Sequence, residues 1–164
     1  MSQQTLTNPE ELFQYQVRSA LTMEEHSLEA LEELHSVASD PKIKKLFSHH
    51  KDETKEQMAN LKKVFKMLER EATTAPSPAT TCIKNQAASL IEKADPKLHD
   101  HIALMSALGN EHFEISAYDG LILQARSLRA PDIEELLQAN FDQEQHTSEE
   151  LHAALADMLH PPTD

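Results

Sequence analysis

The sequence predicts an all-α protein, an antiparallel four-helix bundle with an additional short helix in the crossover between its second and third long helices. Three observations carry this. The 164 residues include only two glycines, while the good helix formers Ala, Leu, Glu, Lys and Gln are abundant. A proline follows each of Asn8, Asp40, Asp95 and Ala130, and proline suits the first helical position because the N–H it lacks would be unpaired there anyway. After each proline, apolar residues recur at three- and four-residue intervals, which places them on one helix face. The length fits one domain, residues 1–164, with a core of ordinary size.

Helix A is expected over about residues 9–37. Asn8 and Glu11 resemble a capping box, and Glu10 and Glu11 suit the positive end of the helix dipole. Its apolar stripe is Phe13, Val17, Leu21, Leu28, Leu31 and Leu34, and Glu24 falls inside it. Helix B, about 41–70, is apolar at both ends of its stripe (Ile43, Leu46, Phe47; Leu61, Val64, Phe65, Leu68). The middle turns are polar, with His50, Glu53, Thr54 and Gln57. Residues 71–81, rich in Ala, Thr, Pro and Ser, read as a linker. A short helix over about 82–93 follows, with Ile83, Ala87, Leu90 and Ile91 on one face.

Helix C, about 96–128, carries Leu104, Leu108, Ile115, Leu121, Ile122 and Ala125 inward, with Glu111 and Glu114 in the same stripe. Helix D, about 131–159, begins with the acids Asp132, Glu134 and Glu135. It turns Ile133, Leu136 with Leu137, Phe141, Leu151, Leu155 and Leu159 inward, and Glu144 lies between them. The tail, residues 160–164, is expected to fray.

The totals exclude several classes. A net charge of −13 argues against nucleic acid and anionic membranes, because phosphate binding needs a basic face. No apolar run approaches the ~20 residues of a membrane span, and no secretory signal pattern opens the chain. The lone cysteine, Cys82, fits a cytoplasmic location and reads as a small buried residue. There is no Gly-rich phosphate loop, no cysteine pair for zinc and no Cys–His nucleophile.

Each long helix therefore places an acid in its apolar stripe near its middle: Glu24; Glu53 with His50; Glu111 with Glu114; and Glu144. In an up-and-down bundle these levels converge on one cross-section. Burying carboxylates without compensation costs several kcal/mol per ion, and no Lys or Arg accompanies them in the stripes. Divalent cations are the natural compensation, and carboxylate–imidazole ligation suits iron or manganese. Ferritin-like di-metal bundles use this design, with one Glu from each of two helices and a Glu–His pair from each of the others. The remaining histidines are scattered without ligand spacing. Tyr118, one turn beyond Glu114, reads as a hydrogen-bond partner of a ligand, as an oxidisable group, or as a satisfied core tyrosine.

The segment Asn110-Glu111-His112-Phe113-Glu114-Ile115-Ser116-Ala117-Tyr118 resembles the Glu-His-aromatic-Glu segment of the third helix of rubrerythrin, where both acids bind iron. From about Leu12 to Leu155 the chain resembles the ferritin-like YciF family. The likeness is carried by Glu24-Glu25-His26-Ser27-Leu28, Asp40-Pro41, His50 to Thr54, Leu61 to Phe65, Cys82, Glu111 to Tyr118 and Phe141 to Glu144. The resemblance implies a five-helix ferritin-like protein, often dimeric, associated with stress responses and carrying a di-iron centre. The chain departs from the standard Glu-x-x-His motif. Phe47 stands three before His50, Gln143 stands three before His146, and Ser148 stands where relatives often carry an acid.

Two readings follow. In the first, Glu24, His50, Glu53, Glu111, Glu114 and Glu144 hold two iron ions, or manganese. The protein is then an oxidase-, peroxidase- or ferroxidase-like enzyme acting on Fe(II), O2 or H2O2. No rubredoxin-like Cys-x-x-Cys pair is encoded, so its electron donor is external. In the second, favoured by Phe47, Gln143 and Ser148, the metal site is degenerate and the bundle dimerises or binds a partner without catalysis.

Overall fold

The computed structural model describes residues 5–160, and among them every regular element is helical. The elements are α1 (Pro9–Val37), α2 (Pro41–Met67), α3 (Pro78–Lys93), a 3₁₀ turn (Pro96–Leu98), α4 (His99–Ser127) and α5 (Pro131–Leu159). Three of the four expected starts are closed by side chains. Asn8 Oδ1 accepts the N–H of Glu11 at 2.9 Å, Asp40 Oδ1 that of Lys42 at 2.7 Å, and Asp95 Oδ1 that of Lys97 at 2.9 Å. Glu11 reaches back to the N–H of Thr7 at 2.8 Å, one residue earlier than the usual capping box. Ala130 makes no side-chain cap.

Several boundaries differ from those read in the sequence. The short helix starts at Pro78 rather than near 82, because Ser77-Pro78 is a fifth proline start inside the segment taken for linker. Residues 96–98 form a 3₁₀ turn before α4. Helix α2 stops at Met67 rather than near 70. There Glu69 turns to a φ of 53°, and the N–H of Arg70 returns to the carbonyl of Phe65 at 3.0 Å, which is a Schellman closure. Helix α4 ends in the same way, with Arg129 at φ 56° and the N–H of Ala130 on Ala125 at 3.0 Å. Cys82, expected to be buried, is exposed on the outer side of α3. The rest of the linker is held down: Arg18 Nη2 donates to the carbonyl of Thr74 at 2.8 Å and Thr22 Oγ1 to that of Ala75 at 2.7 Å. Of the tail expected to fray, His160 closes α5 and residues 161–164 lie outside the described residues.

Helix α1 packs on α2 and α4, and α5 packs on α4 and α2, so the four long helices close a ring; α3 lies against α1 and α4. The interior has two apolar blocks. One gathers Phe13, Val17, Leu61, Val64, Ile122 and Leu137. The other gathers Leu31, Leu34, Phe47, Leu104, Ala107 and Leu151. Each large apolar side chain fully buried here contributes about 1.5–3 kcal/mol. Between the blocks the long helices turn polar residues inward, and that layer holds the candidate site. No helix among the described residues is long and apolar enough to cross a membrane.

Candidate functional site

The layer is built from Glu24 on α1, Glu111 and Glu114 on α4, and Glu144 on α5, all buried. Glu24, Glu114 and Glu144 each offer a carboxylate oxygen, and these oxygens lie within 4.8 Å of one another. Glu111 and Glu144 face each other carboxyl to carboxyl, and the charge of Glu111 opposes ionisation of Glu144. Glu53 of α2 stands at the edge, its side chain 14% exposed, and accepts from Thr147 Oγ1 at 3.2 Å. Four of the five carboxylates named from the sequence are thus buried in the layer, and Glu53 stands at its edge.

Burial dominates the electrostatics. It raises the carboxyl of Glu24 to about 8, partly offset by a hydrogen bond from Tyr118. Glu111, Glu114 and Glu144 are driven well above the usual carboxylate range, first by burial and then by the neighbouring acids. Burial also raises Glu53. The ion pairs of lysine and arginine lie elsewhere, Lys55 with Asp52, Lys84 with Glu29 and Glu33, and Arg126 with Glu134. One oxygen of each of Glu24, Glu111, Glu114 and Glu144 is buried without a hydrogen-bond partner among the described residues. Such atoms are costly to leave unsatisfied, and four of them in one layer make an oxygen-rich cage that suits a hard or borderline divalent cation.

His50 is placed differently from the acids. It is buried, but its Nε2 faces Glu150 Oε2 at 3.2 Å, while its Nδ1 is buried without a partner among the described residues. Burial lowers its proton affinity, against the pull of Glu150. The three departures noted in the sequence supply no donors to the cage. Phe47 is fully buried in the apolar block with Leu104 and Leu151. Gln143 donates to Glu56 at 3.1 Å, and Ser148 turns its hydroxyl to the carbonyl of Gln145 at 2.8 Å. His146 is 62% exposed, as its position off the stripe required.

Tyr118, singled out in the sequence, hydrogen-bonds within the layer, and Asn140, Asn110 and Ser27, which the sequence did not mark as site residues, join it. Tyr118 Oη donates to Glu24 Oε1, and Asn140 Nδ2 donates to Tyr118 Oη at 2.9 Å and to the carbonyl of Gln57 at 3.2 Å. Asn110 donates to Ser27 Oγ at 3.1 Å, and Ser27 in turn lies 3.5 Å from Glu114 Oε2. The inward stripe of α5 is Ile133, Leu137, Asn140, Glu144, Thr147 and Leu151, with Phe141 only half-buried. Choosing Phe141 over Asn140 rotated that face by one residue. Asn140 lies one turn before Glu144, and that polar spacing was the available signal.

Fold and site together define an all-helical protein that buries a cluster of carboxylates at the middle of its long helices. The chain belongs to the DUF892 family, described as a domain of unknown function, whose profile matches residues 8–160. Among solved structures it is similar to YcfI from Rhodopseudomonas palustris, with 25% identity over 93% of this chain and 98% of that one and a TM-score of 0.89. The Escherichia coli stress protein YciF matches at 21% identity over 96% of this chain and 100% of that one, TM-score 0.89. A protein from Xanthomonas campestris pv. campestris matches at 20% over 92% of each chain, TM-score 0.73. The likeness to the last two is one of fold. No curated protein matches the chain.

Proposed function

We propose that this chain is a ferritin-like di-metal carboxylate protein, an antiparallel four-helix bundle of the kind that acts as an oxidase, peroxidase or ferroxidase, linked to stress response. The supporting observation is the set of four buried carboxylate oxygens without partners on Glu24, Glu111, Glu114 and Glu144, in a layer where no lysine or arginine compensates them. Glu24, Glu114 and Glu144 would hold one cation, and Glu111, Glu53 and His50 would serve the second. Bound there, two iron or manganese ions supply electron transfer toward O2 or H2O2, with the reductant coming from an external donor.

The chain's own residues bind, orient and exclude water. Tyr118, fixed by Asn140, orients the Glu24 carboxylate, and Ser27 does the same for Glu114. The apolar blocks on either side keep the layer dry, so each carboxylate acts at low dielectric. A cation entering must displace the protons that burial now holds on the acids, so binding strengthens as pH rises.

Metal analysis of protein purified without chelator tests the proposal. About two iron or manganese ions per chain is the expected result, together with Fe(II)-dependent O2 consumption that Glu111→Ala abolishes. Absence of bound metal after anaerobic iron loading would leave the second reading. That reading, a non-enzymatic stress-associated bundle that dimerises or binds a partner, draws support from Phe47, Gln143 and Ser148, which give nothing to the cage.

A further inference from the structure

A cation bound in this layer must reach it from outside, and most approaches are closed. The apolar blocks cap the layer on either side along the bundle. Helix α3 covers the side between α1 and α4. Beneath it a cavity of about 20 Å³ touches Ser27, Asn110 and Glu111, room for little more than one water molecule. Its other walls are largely apolar, with Leu31, Leu34, Ile83 and Ala87 among them, and the Nδ1 of its one imidazole, His26, is held by Thr80 at 2.8 Å.

The seam between α2 and α5 is different, because polar groups meet across it at successive turns. Asn60 bonds Asn140 at 2.8 Å, Gln143 bonds Glu56 at 3.1 Å, Thr147 bonds Glu53 at 3.2 Å, and His50 meets Glu150 at 3.2 Å. At its outer edge the Glu150 carboxylate, 36% exposed, gathers two imidazoles: His50 Nε2 on one oxygen and His146 Nε2 on the other at 3.6 Å. Next inward is Glu53, 14% exposed, with the exposed His49 3.5 Å from its Oε1. Glu53 feels the charge of Glu150 on one side and acts on both Glu111 and Glu144 on the other. Exposure thus falls stepwise from Glu150 through Glu53 to Glu144 and Glu111, at 3% and 2%. His50, 2% exposed with an Nδ1 partnerless among the described residues, offers a nitrogen ligand on the way.

We infer that the α2–α5 seam is the loading route for divalent cations, with Glu150 and His146 as its outer capture point and Glu53 with His50 as the relay into the cage. The inference rests on the metal-binding reading of the cage. Glu150 supplies negative charge at the mouth, which raises the local cation concentration. Oxygen and imidazole donors at each step let the ion exchange ligands without standing bare at low dielectric.

Stopped-flow absorbance of Co²⁺ binding to the metal-free full-length protein separates this route from the cage itself. Glu150→Gln and His146→Ala should each slow loading by about five-fold or more with the final Co²⁺ content unchanged. Glu149→Gln, the exposed acid beside Glu150, should load at the wild-type rate. Wild-type loading rates in both seam variants would overturn the route, and so would loss of bound Co²⁺ in Glu150→Gln, which would make Glu150 a ligand of the resident ion. Failure of the wild-type protein to bind any Co²⁺ would instead defeat the cage, and the route with it.

Discussion

The phenol of Tyr118 donates its hydrogen to Glu24, and the amide of Asn140 donates to that same phenol oxygen at 2.9 Å. The phenol thus links α4 to both α1 and α5, and it is fully buried. Phenylalanine keeps the ring's shape but removes the hydroxyl, which strips Glu24 of its one side-chain donor among the described residues and leaves the Asn140 amide N–H groups with the carbonyl of Gln57 as their remaining acceptor. The stranded groups carry their desolvation cost. Tyr118→Phe should lose about 1–3 kcal/mol of unfolding free energy, read from urea denaturation with an unchanged denaturant slope. A variant as stable as the parent would show that the hydrogen bond holds nothing in place.

Two helix ends adopt a backbone conformation that ordinary side chains resist. Glu69 and Arg129 take φ values of 53° and 56° where α2 and α4 close. Both are exposed, and the left-handed conformation costs a non-glycine residue roughly 1–2 kcal/mol. Glycine is the usual occupant of this place. Arg129→Gly should therefore stabilise the protein by up to about 1 kcal/mol, seen as a higher thermal midpoint, and Glu69→Gly should behave alike. A fall in the midpoint would mean that glycine's freedom in the unfolded chain outweighs the relieved strain.

The sequence made the helical class legible because its signals are local: proline starts, capping side chains and apolar spacing need no knowledge of neighbours. The five carboxylates were legible for a related reason, since an acid at a stripe position is conspicuous whichever helix faces it. What failed was phase and partnership. A rotation of one residue chose Phe141 over Asn140, and both fit an amphipathic face until α2 and α4 are packed against it. Glu150, off the stripe of α5, gains meaning only because α2 brings His50 to it. The helix end at Met67 was missed because it is not followed by the glycine that commonly marks such a closure.

The buried acids also set the response to pH. The Glu24 carboxyl is raised from 4.5 to about 8, so between those values the folded, metal-free protein holds a proton that the unfolded chain has released. Unfolding free energy must then fall as pH rises through that window, by about 1.4 kcal/mol per pH unit for each such carboxyl. Glu111, Glu114 and Glu144 are shifted the same way. The lowered acids Glu11, Glu29, Asp52 and Asp100 act oppositely, but only at pH values below the ordinary carboxylate range. Metal-free protein should thus show a lower urea midpoint at pH 8 than at pH 5.5. An equal or higher midpoint at pH 8 would contradict the burial of these groups.

Removing one acid should separate the protein's stability from its capacity for metal. Glu114 is fully buried among Glu24, Glu144 and Ser27, and its neighbours' charges oppose its ionisation. Glutamine keeps its shape, stays neutral at every pH and still accepts from Ser27. In metal-free protein at pH 8, Glu114→Gln should therefore be at least as stable as the parent, with a gain of about 1 kcal/mol or more, since glutamine spares the folded state the proton uptake that burial imposes on the Glu114 carboxyl. A cation would exchange one of three converging carboxylate oxygens for a neutral amide oxygen, a weaker ligand without charge. Thermal scans with excess Mn²⁺ should accordingly raise the midpoint of the parent, as any ligand of the folded state does, and leave that of Glu114→Gln nearly unmoved. If Mn²⁺ stabilised both proteins equally, the ion would be binding elsewhere, and the convergence of Glu24, Glu114 and Glu144 would have no part in holding it.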